Sequence, residues 1–123
     1  MTPALARPVF VIDDDPALLG SLKFNLEIEG FAVETFVNGA AALSGIEGRK
    51  WGCLVIDYNL PDGDGLTLLE PLRQRGVKLP AILITTAPSA AMKARAARSN
   101  AIVVEKPLLG DALMEAVQQT FPS

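Results

Sequence analysis

The sequence predicts an α/β fold: a doubly wound, five-stranded parallel sheet with helices on both faces. Three observations carry this expectation. Short runs rich in Val, Ile and Phe alternate with longer amphipathic segments, the rhythm of repeated βα units. Four of the five short runs are almost continuously apolar, the pattern of strands covered on both faces. Apolar residues make up 50% of the 123 positions and charged residues 20%, a composition that can bury a core and excludes a disordered chain.

The strand-like runs are 8–13 (PVFVID), 31–36 (FAVETF), 52–57 (GCLVID), 80–85 (PAILIT) and 101–105 (AIVVE). The second alternates apolar and polar residues and is expected at a less covered edge. Between the first two, Asp15 suits an N-cap and Pro16 the first helical position, where its missing N–H costs nothing. Leu18, Leu22 and Leu26 then recur every four residues, with Leu19 beside them, and Gly30 ends the helix. Asn38 is the expected cap of a short second helix bearing Leu43 and Ile46. Asp64 caps a third, with Leu66, Leu69 and Leu72 on one stripe and Gly76 as its stop. Pro71 lies inside that stretch and is expected to bend it. A fourth helix, 89–99, is Ala-rich and basic, with Lys93, Arg95 and Arg98. The fifth, 109–121, repeats Leu109, Leu113, Val117 and Phe121 every four residues. Residues 1–123 read as one domain with a core spanning 8–121.

Composition removes several function classes. The net charge is −3, so the basic footprint of a nucleic-acid-binding domain is missing. His is absent, which removes His-ligated metals, His general bases and phosphohistidine. A single Cys allows neither an intrachain disulfide nor a Cys zinc cluster. Cys53 reads as a small buried hydrophobe and Trp51 as cover for a strand entrance. The apolar runs are strand-sized, well short of the ~20 residues of a membrane span, and the first residues lack a secretory pattern. A cytoplasmic protein with no membrane partner is the expectation.

Ligands of parallel α/β sheets bind beyond the carboxyl ends of the strands. Those ends carry Asp13-Asp14-Asp15, Asp57, Thr85-Thr86 and Glu105-Lys106-Pro107. Clustered carboxylates repel one another, and a divalent cation relieves that repulsion. An all-oxygen donor set favours a hard ion such as Mg²⁺. A lysine and a hydroxyl at the same edge supply what a transferred phosphoryl group needs, and an Asp carboxylate is itself a competent nucleophile. Taken one at a time, each residue has a plainer role: an acidic run caps a helix, Asp57 caps the turn that follows it, Thr85 is a β-former. All four strand ends in order argue for a site. The stretch from Asp57 to Gly63 also begins like a calcium loop, but Pro61 stands at its fifth position and Leu68 at its twelfth, where a Glu is required.

The motifs VFVIDDDP, CLVIDYNLPDGDGL, AILITT and VVEKP, in this order over 8–121, resemble the receiver domain of bacterial two-component response regulators. Asp13, Asp57, Thr85 and Lys106 follow at steps of 44, 28 and 21 residues, the last slightly tighter than is usual in that family. The resemblance implies a flavodoxin-like (βα)5 fold with strand order 2-1-3-4-5. It implies that Asp57 is the phosphoacceptor and that Asp13, Asp14, Asp57 and the backbone carbonyl of Asn59 hold Mg²⁺, or Mn²⁺ in its place. Thr85 resembles the switch hydroxyl and Lys106 the phosphoryl-binding lysine; a cis Lys106-Pro107 bond is expected. The implied partners are a sensor histidine kinase or phosphotransfer protein and an output protein or domain, engaged through the surface around the fourth helix. The implied role is a signalling switch and not an enzyme, with self-phosphorylation from small donors and autodephosphorylation at most.

Two positions depart from the family pattern. Val103 stands where relatives carry Tyr or Phe, three residues before the lysine, and Thr86 where many carry Ala or Gly. The usual coupling of hydroxyl to aromatic ring therefore cannot operate. Two alternatives follow: a docking module on the same fold that works without phosphorylation, and an Asp-nucleophile Mg²⁺-dependent phosphatase of the haloacid dehalogenase type. The latter rests on Asp13-x-Asp15, but Ala17 stands where Thr or Val is expected.

Overall fold

The computed structural model describes residues 7–106 and 111–121. In chain order its elements are β1 (Pro8–Ile12), α1 (Pro16–Ile28), β2 (Ala32–Phe36), α2 (Gly39–Ile46), β3 (Cys53–Asp57), β4 (Asn59–Leu60) and β5 (Gly63–Asp64). They continue with α3 (Gly65–Gln74), β6 (Ala81–Thr85), α4 (Ala90–Arg98), β7 (Ala101–Glu105) and α5 (Ala112–Gln119). Five strands pair in parallel in the order β2-β1-β3-β6-β7. This is the expected 2-1-3-4-5 order, with the short antiparallel β4–β5 hairpin as an addition.

Strand alternation divides the core into two layers. Phe10, Ile12, Leu54, Ile56, Ala81 and Leu83 point to one face, where they meet Ala42 and Ile46 of α2, Leu66, Leu69 and Leu72 of α3 and Ala96 of α4. Val9, Val11, Cys53, Val55, Ile82 and Ile84 point to the other, against Leu19, Leu22 and Leu26 of α1 and Leu113, Ala116 and Val117 of α5. β3 and β6 are buried at every position, as continuous apolar runs require.

The helix signals act as written. The Asp15 carboxylate accepts from the N–H groups of Ala17 and Leu18, Asn38 from Ala41 and Asp64 from Thr67; the structure adds a fourth cap, the Ser89 hydroxyl accepting from Met92. Gly30 and Gly76 leave α1 and α3 at φ 94° and 88°, left-handed positions that favour glycine. α3 runs through Pro71 as one continuous helix. Leu109 and Pro107, and with them the cis bond and the start of the fifth helix, lie outside the described residues.

One expectation is corrected. The run AIVVE is apolar like a strand covered on both faces, but β7, at the edge that the 2-1-3-4-5 order gives it, is only partly covered. Ile102 is 51% exposed and Val103 and Val104 are only half-buried. An edge strand has a neighbour on one side only, and the described part of α5 sends its buried side chains to the second core layer without covering Ile102.

Candidate functional site

Chain geometry brings the strand-end acids together. β1 and β3 are neighbours in register, so Asp13 and Asp57 follow aligned residues, Val11 and Ile12 pairing with Val55 and Ile56. The Asp13 N–H donates to the Phe36 carbonyl at 3.0 Å, which carries β1 one residue past its last strand position. Asp13 and Asp57 are buried, Asp14 is exposed, and one carboxylate oxygen of each lies within 4.8 Å of the others.

The Asp13 carboxylate is only half satisfied. Its Oδ1 accepts the Asp15 N–H at 2.9 Å, whereas its buried Oδ2 has no hydrogen-bond partner among the described residues. Burial pushes this carboxyl up to about 6 from 3.8; the Asp57 and Asp14 charges push the same way, and the Asp15 N–H and Lys106 oppose them. A desolvated, unpartnered carboxylate oxygen beside two further carboxylates is what a hard cation would repair, so the donor set fits Mg²⁺.

Asp57 receives two donors. The Lys106 ammonium lies 3.2 Å from Oδ1, bridging from the end of β7, and the Asn59 N–H donates to the same oxygen at 3.2 Å. The Lys106 N–H donates to the Thr85 carbonyl at 2.7 Å and the Tyr58 N–H to the Ile84 carbonyl at 2.8 Å, so all three strand ends are tied main chain to main chain. Thr85 is buried at this edge, one residue beyond Ile84, which is the register partner of Asp57. Its hydroxyl makes no hydrogen bond to Asp57 among the described residues. Asp13, Asp14, Asp57, Thr85 and Lys106 therefore share one edge, and Asn59 sits beside them on β4. Asp57 does serve the turn that follows it, as the plainer reading held, through the Asn59 N–H.

Asp15 is engaged elsewhere. Its carboxylate is spent on the first turn of α1, so the pair Asp13-x-Asp15 does not converge on one site. The phosphatase alternative loses its second acid.

Three supports were not legible as site residues. Gly65 packs its α-carbon against the end of β3: a Cβ there would stand 2.7 Å from the Asp57 carbonyl oxygen and 2.9 Å from both Ile56 Cγ2 and Leu83 Cδ1. Asp62, at the tip of the hairpin, accepts from the N–H groups of Gly39 and Ala40 at 3.0 and 3.1 Å, and thereby ties the loop after Asp57 to the start of α2. These backbone bonds hold its carboxyl below the usual range, the Gly39 bond foremost. The Asp62-Gly63 dipeptide was the available signal, a hairpin marker. The third is Arg95, which turns from α4 to α3, with Nη2 2.6 Å from Glu70 and Nη1 3.3 Å from Asp64. Of the three basic side chains expected on the fourth helix, only Lys93 and Arg98 face solvent fully.

Comparisons with known proteins agree with this geometry. The response regulator receiver domain profile matches residues 9–118. The transcriptional regulatory protein FixJ of Bradyrhizobium diazoefficiens is 32% identical over 114 residues, covering 92% of this chain and 56% of that protein. The C4-dicarboxylate transport transcriptional regulatory protein DctD of Pseudomonas aeruginosa is 35% identical over 115 residues, covering 92% of this chain and 25% of its own length. The chain thus spans about half, or a quarter, of these curated relatives. Among solved structures, the chemotaxis protein CheY4 of Vibrio cholerae superposes with a TM-score of 0.86 at 22% identity, covering 94% of this chain and 99% of that one, a likeness of fold. With the family profile spanning nearly the whole chain and the acid cluster set at the carboxyl edge of the sheet, this protein belongs to the response regulator receiver domain family.

Proposed function

We propose that Asp57 is the phosphoacceptor of a two-component phosphorelay, and that residues 1–123 act as one receiver unit. The observation that carries this reading is the Lys106–Asp57 contact at 3.2 Å beside an otherwise unrelieved acidic trio. An Asp57 carboxylate oxygen attacks phosphorus, the bond from phosphorus to the donor breaks, and an aspartyl phosphate remains. Lys106, already within bonding distance of Asp57, pairs with a phosphoryl oxygen. Thr85 offers its hydroxyl to another. Asp13, Asp14, Asp57 and the Asn59 carbonyl would hold Mg²⁺, with Mn²⁺ as a substitute. The ion would neutralise the carboxylates and share the charge on the transferred group.

The donor is a sensor histidine kinase or a phosphotransfer protein, and the receiver works in the cytoplasm. Among the described residues no helix is long and apolar enough to cross a membrane. The output is a partner protein or domain that reads the surface around α4, β6 and β7, and this unit makes no direct contact with nucleic acid. Its only chemistry is uptake of a phosphoryl group, from small donors as well, and autodephosphorylation.

Intact mass after incubation with acetyl phosphate tests the reading. Wild type gains one phosphoryl group in Mg²⁺, and neither Mg²⁺-free protein nor Asp57→Ala does. An adduct of equal yield in Asp57→Ala would sink the assignment. A second reading, docking without phosphorylation, is favoured by Val103, a side chain with no ring to swing. Partner binding unchanged by Asp57→Ala would support it.

A further inference from the structure

A receiver without the aromatic residue at 103 needs another route from Asp57 to the α4 surface. We propose that Arg95 is a positioning residue that supplies this route, latching α4 to the loop after Asp57 in the unmodified protein and loosening when that loop is pulled toward a modified site. The proposal rests on the assignment of Asp57 as phosphoacceptor.

The connection can be followed bond by bond. Asn59 is two residues past Asp57 and donates its N–H to the Asp57 carboxylate. Its register partner across the β4–β5 hairpin is Asp64. The two oxygens of Asp64 have different duties: Oδ1 accepts the Thr67 N–H at 2.8 Å and so caps α3, while Oδ2 receives Arg95 Nη1 at 3.3 Å. Arg95 Nη2 takes Glu70 at 2.6 Å, nearly two helical turns further along α3. The guanidinium therefore bridges the N-cap of α3, which is part of the hairpin, and an acid inside that helix.

The lower end of α4 is anchored differently. Arg73 of α3 donates Nε to the Ser99 carbonyl at 2.8 Å and Nη2 to the Asn100 carbonyl at 3.3 Å, beyond the last turn of α4. Those bonds reach main chain next to β7 and have no link to the hairpin. The Arg95 latch is thus the polar tie of α4 that senses the Asp57 loop, while the Arg73 tie stays fixed. The apolar contacts of α4 with the core come through Met92 and the buried Ala96, and its other side chains are exposed or half-exposed. When the hydrogen bond from Asn59 to Asp57 is lost to a phosphoryl group, the hairpin and Asp64 shift together and the fork on Arg95 opens.

Hydrogen exchange of residues 90–98 reads the latch directly, with Mg²⁺ and beryllofluoride as the probe for the modified state. In unmodified protein, Arg95→Gln speeds exchange of this segment about 2- to 5-fold, the factor a partly exposed ion pair carries. Lys93→Gln, at an exposed position on the same helix, does not. In wild type, beryllofluoride speeds the segment by a similar factor; in Arg95→Gln it adds little, and Arg95→Lys restores part of the response. Acetyl phosphate still labels Arg95→Gln with one phosphoryl group at Asp57, because the residue lies outside the acid cluster. A wild type that responds together with an Arg95→Gln variant that responds equally overturns the latch and leaves the assignment of Asp57 intact. Absence of both adduct and beryllofluoride response in wild type overturns that assignment, and the latch with it. Unchanged exchange in unmodified Arg95→Gln overturns the latch alone.

Discussion

Replacing Asp13 by Asn makes the metal-free protein more stable at neutral pH, although it removes a proposed metal ligand. Asp13 is 2% exposed, and its Oδ2 has no partner among the described residues. Its carboxyl titrates at about 6 in the folded protein against 3.8 for the unperturbed group. At about 1.4 kcal/mol for each tenfold change in proton affinity, ionising it in place costs roughly 3 kcal/mol. The sign is set by proton binding: between pH about 4 and about 6 the folded state holds this proton more tightly than the unfolded chain, so stability falls as pH rises through that window. Asn carries no charge to desolvate, its carbonyl can keep the Asp15 N–H, and its amide can donate toward Asp57. Asp13→Asn should therefore gain about 2–3 kcal/mol near pH 7.5 in chelator, or about 8–12 °C in Tm for a chain of this length. The advantage should fade to nothing below pH about 4, where Asp13 is protonated in both states. Added Mg²⁺ should stabilise wild type by mass action and the variant much less. Urea and thermal unfolding across pH, with chelator or Mg²⁺, measure all three effects. A variant no more stable than wild type at neutral pH, or one whose advantage survives in acid, would refute the argument that an unrelieved Asp13 charge strains this site.

Three further outcomes follow from the same geometry. Gly65→Ala drives a Cβ into the Asp57 carbonyl and should cost about 1–3 kcal/mol in urea unfolding, with reduced phosphoryl uptake because the end of β3 must shift. Asp62→Ala should speed amide exchange at Gly39 and Ala40 and lower Tm at neutral pH. Because the Asp62 carboxyl titrates lower in the folded state, its contribution is present above the ordinary carboxylate range and lost as pH falls through its folded value, so wild type and variant should converge in strong acid. Cys53 is buried with its thiol pushed up to about 11, chiefly by burial, so labelling by a thiol reagent at mildly alkaline pH should track unfolding of β3 rather than thiolate chemistry. Rapid labelling of native protein would contradict the packing of that strand.

Local sequence by itself determined the five strands, three of the four side-chain helix caps and the identity of the edge acids. Each of these depends on neighbours within about one helical turn or one strand alternation, which a linear string records. Asp15, Asn38, Asp64 and Ser89 cap because their acceptors face N–H groups two or three residues away. Strand order and the roles at the acid edge were legible only through family resemblance, because several topologies share the same alternation of strand and helix. Tertiary structure alone decided the rest. AIVVE is apolar enough for a strand covered on both faces, but how far an edge strand is covered depends on what packs over it, and Ile102 is left exposed. Gly65 reads as an ordinary helix start until the Asp57 carbonyl is seen against its α-carbon. Asp62 meets its donors 23 and 22 residues away, and Arg95 its acids 25 and 31 residues away. Nothing in one-dimensional spacing says which charged side chains on different helices will meet, because that depends on how each helix is rotated on the sheet. That rotation is settled by the packing of leucines and isoleucines beneath it.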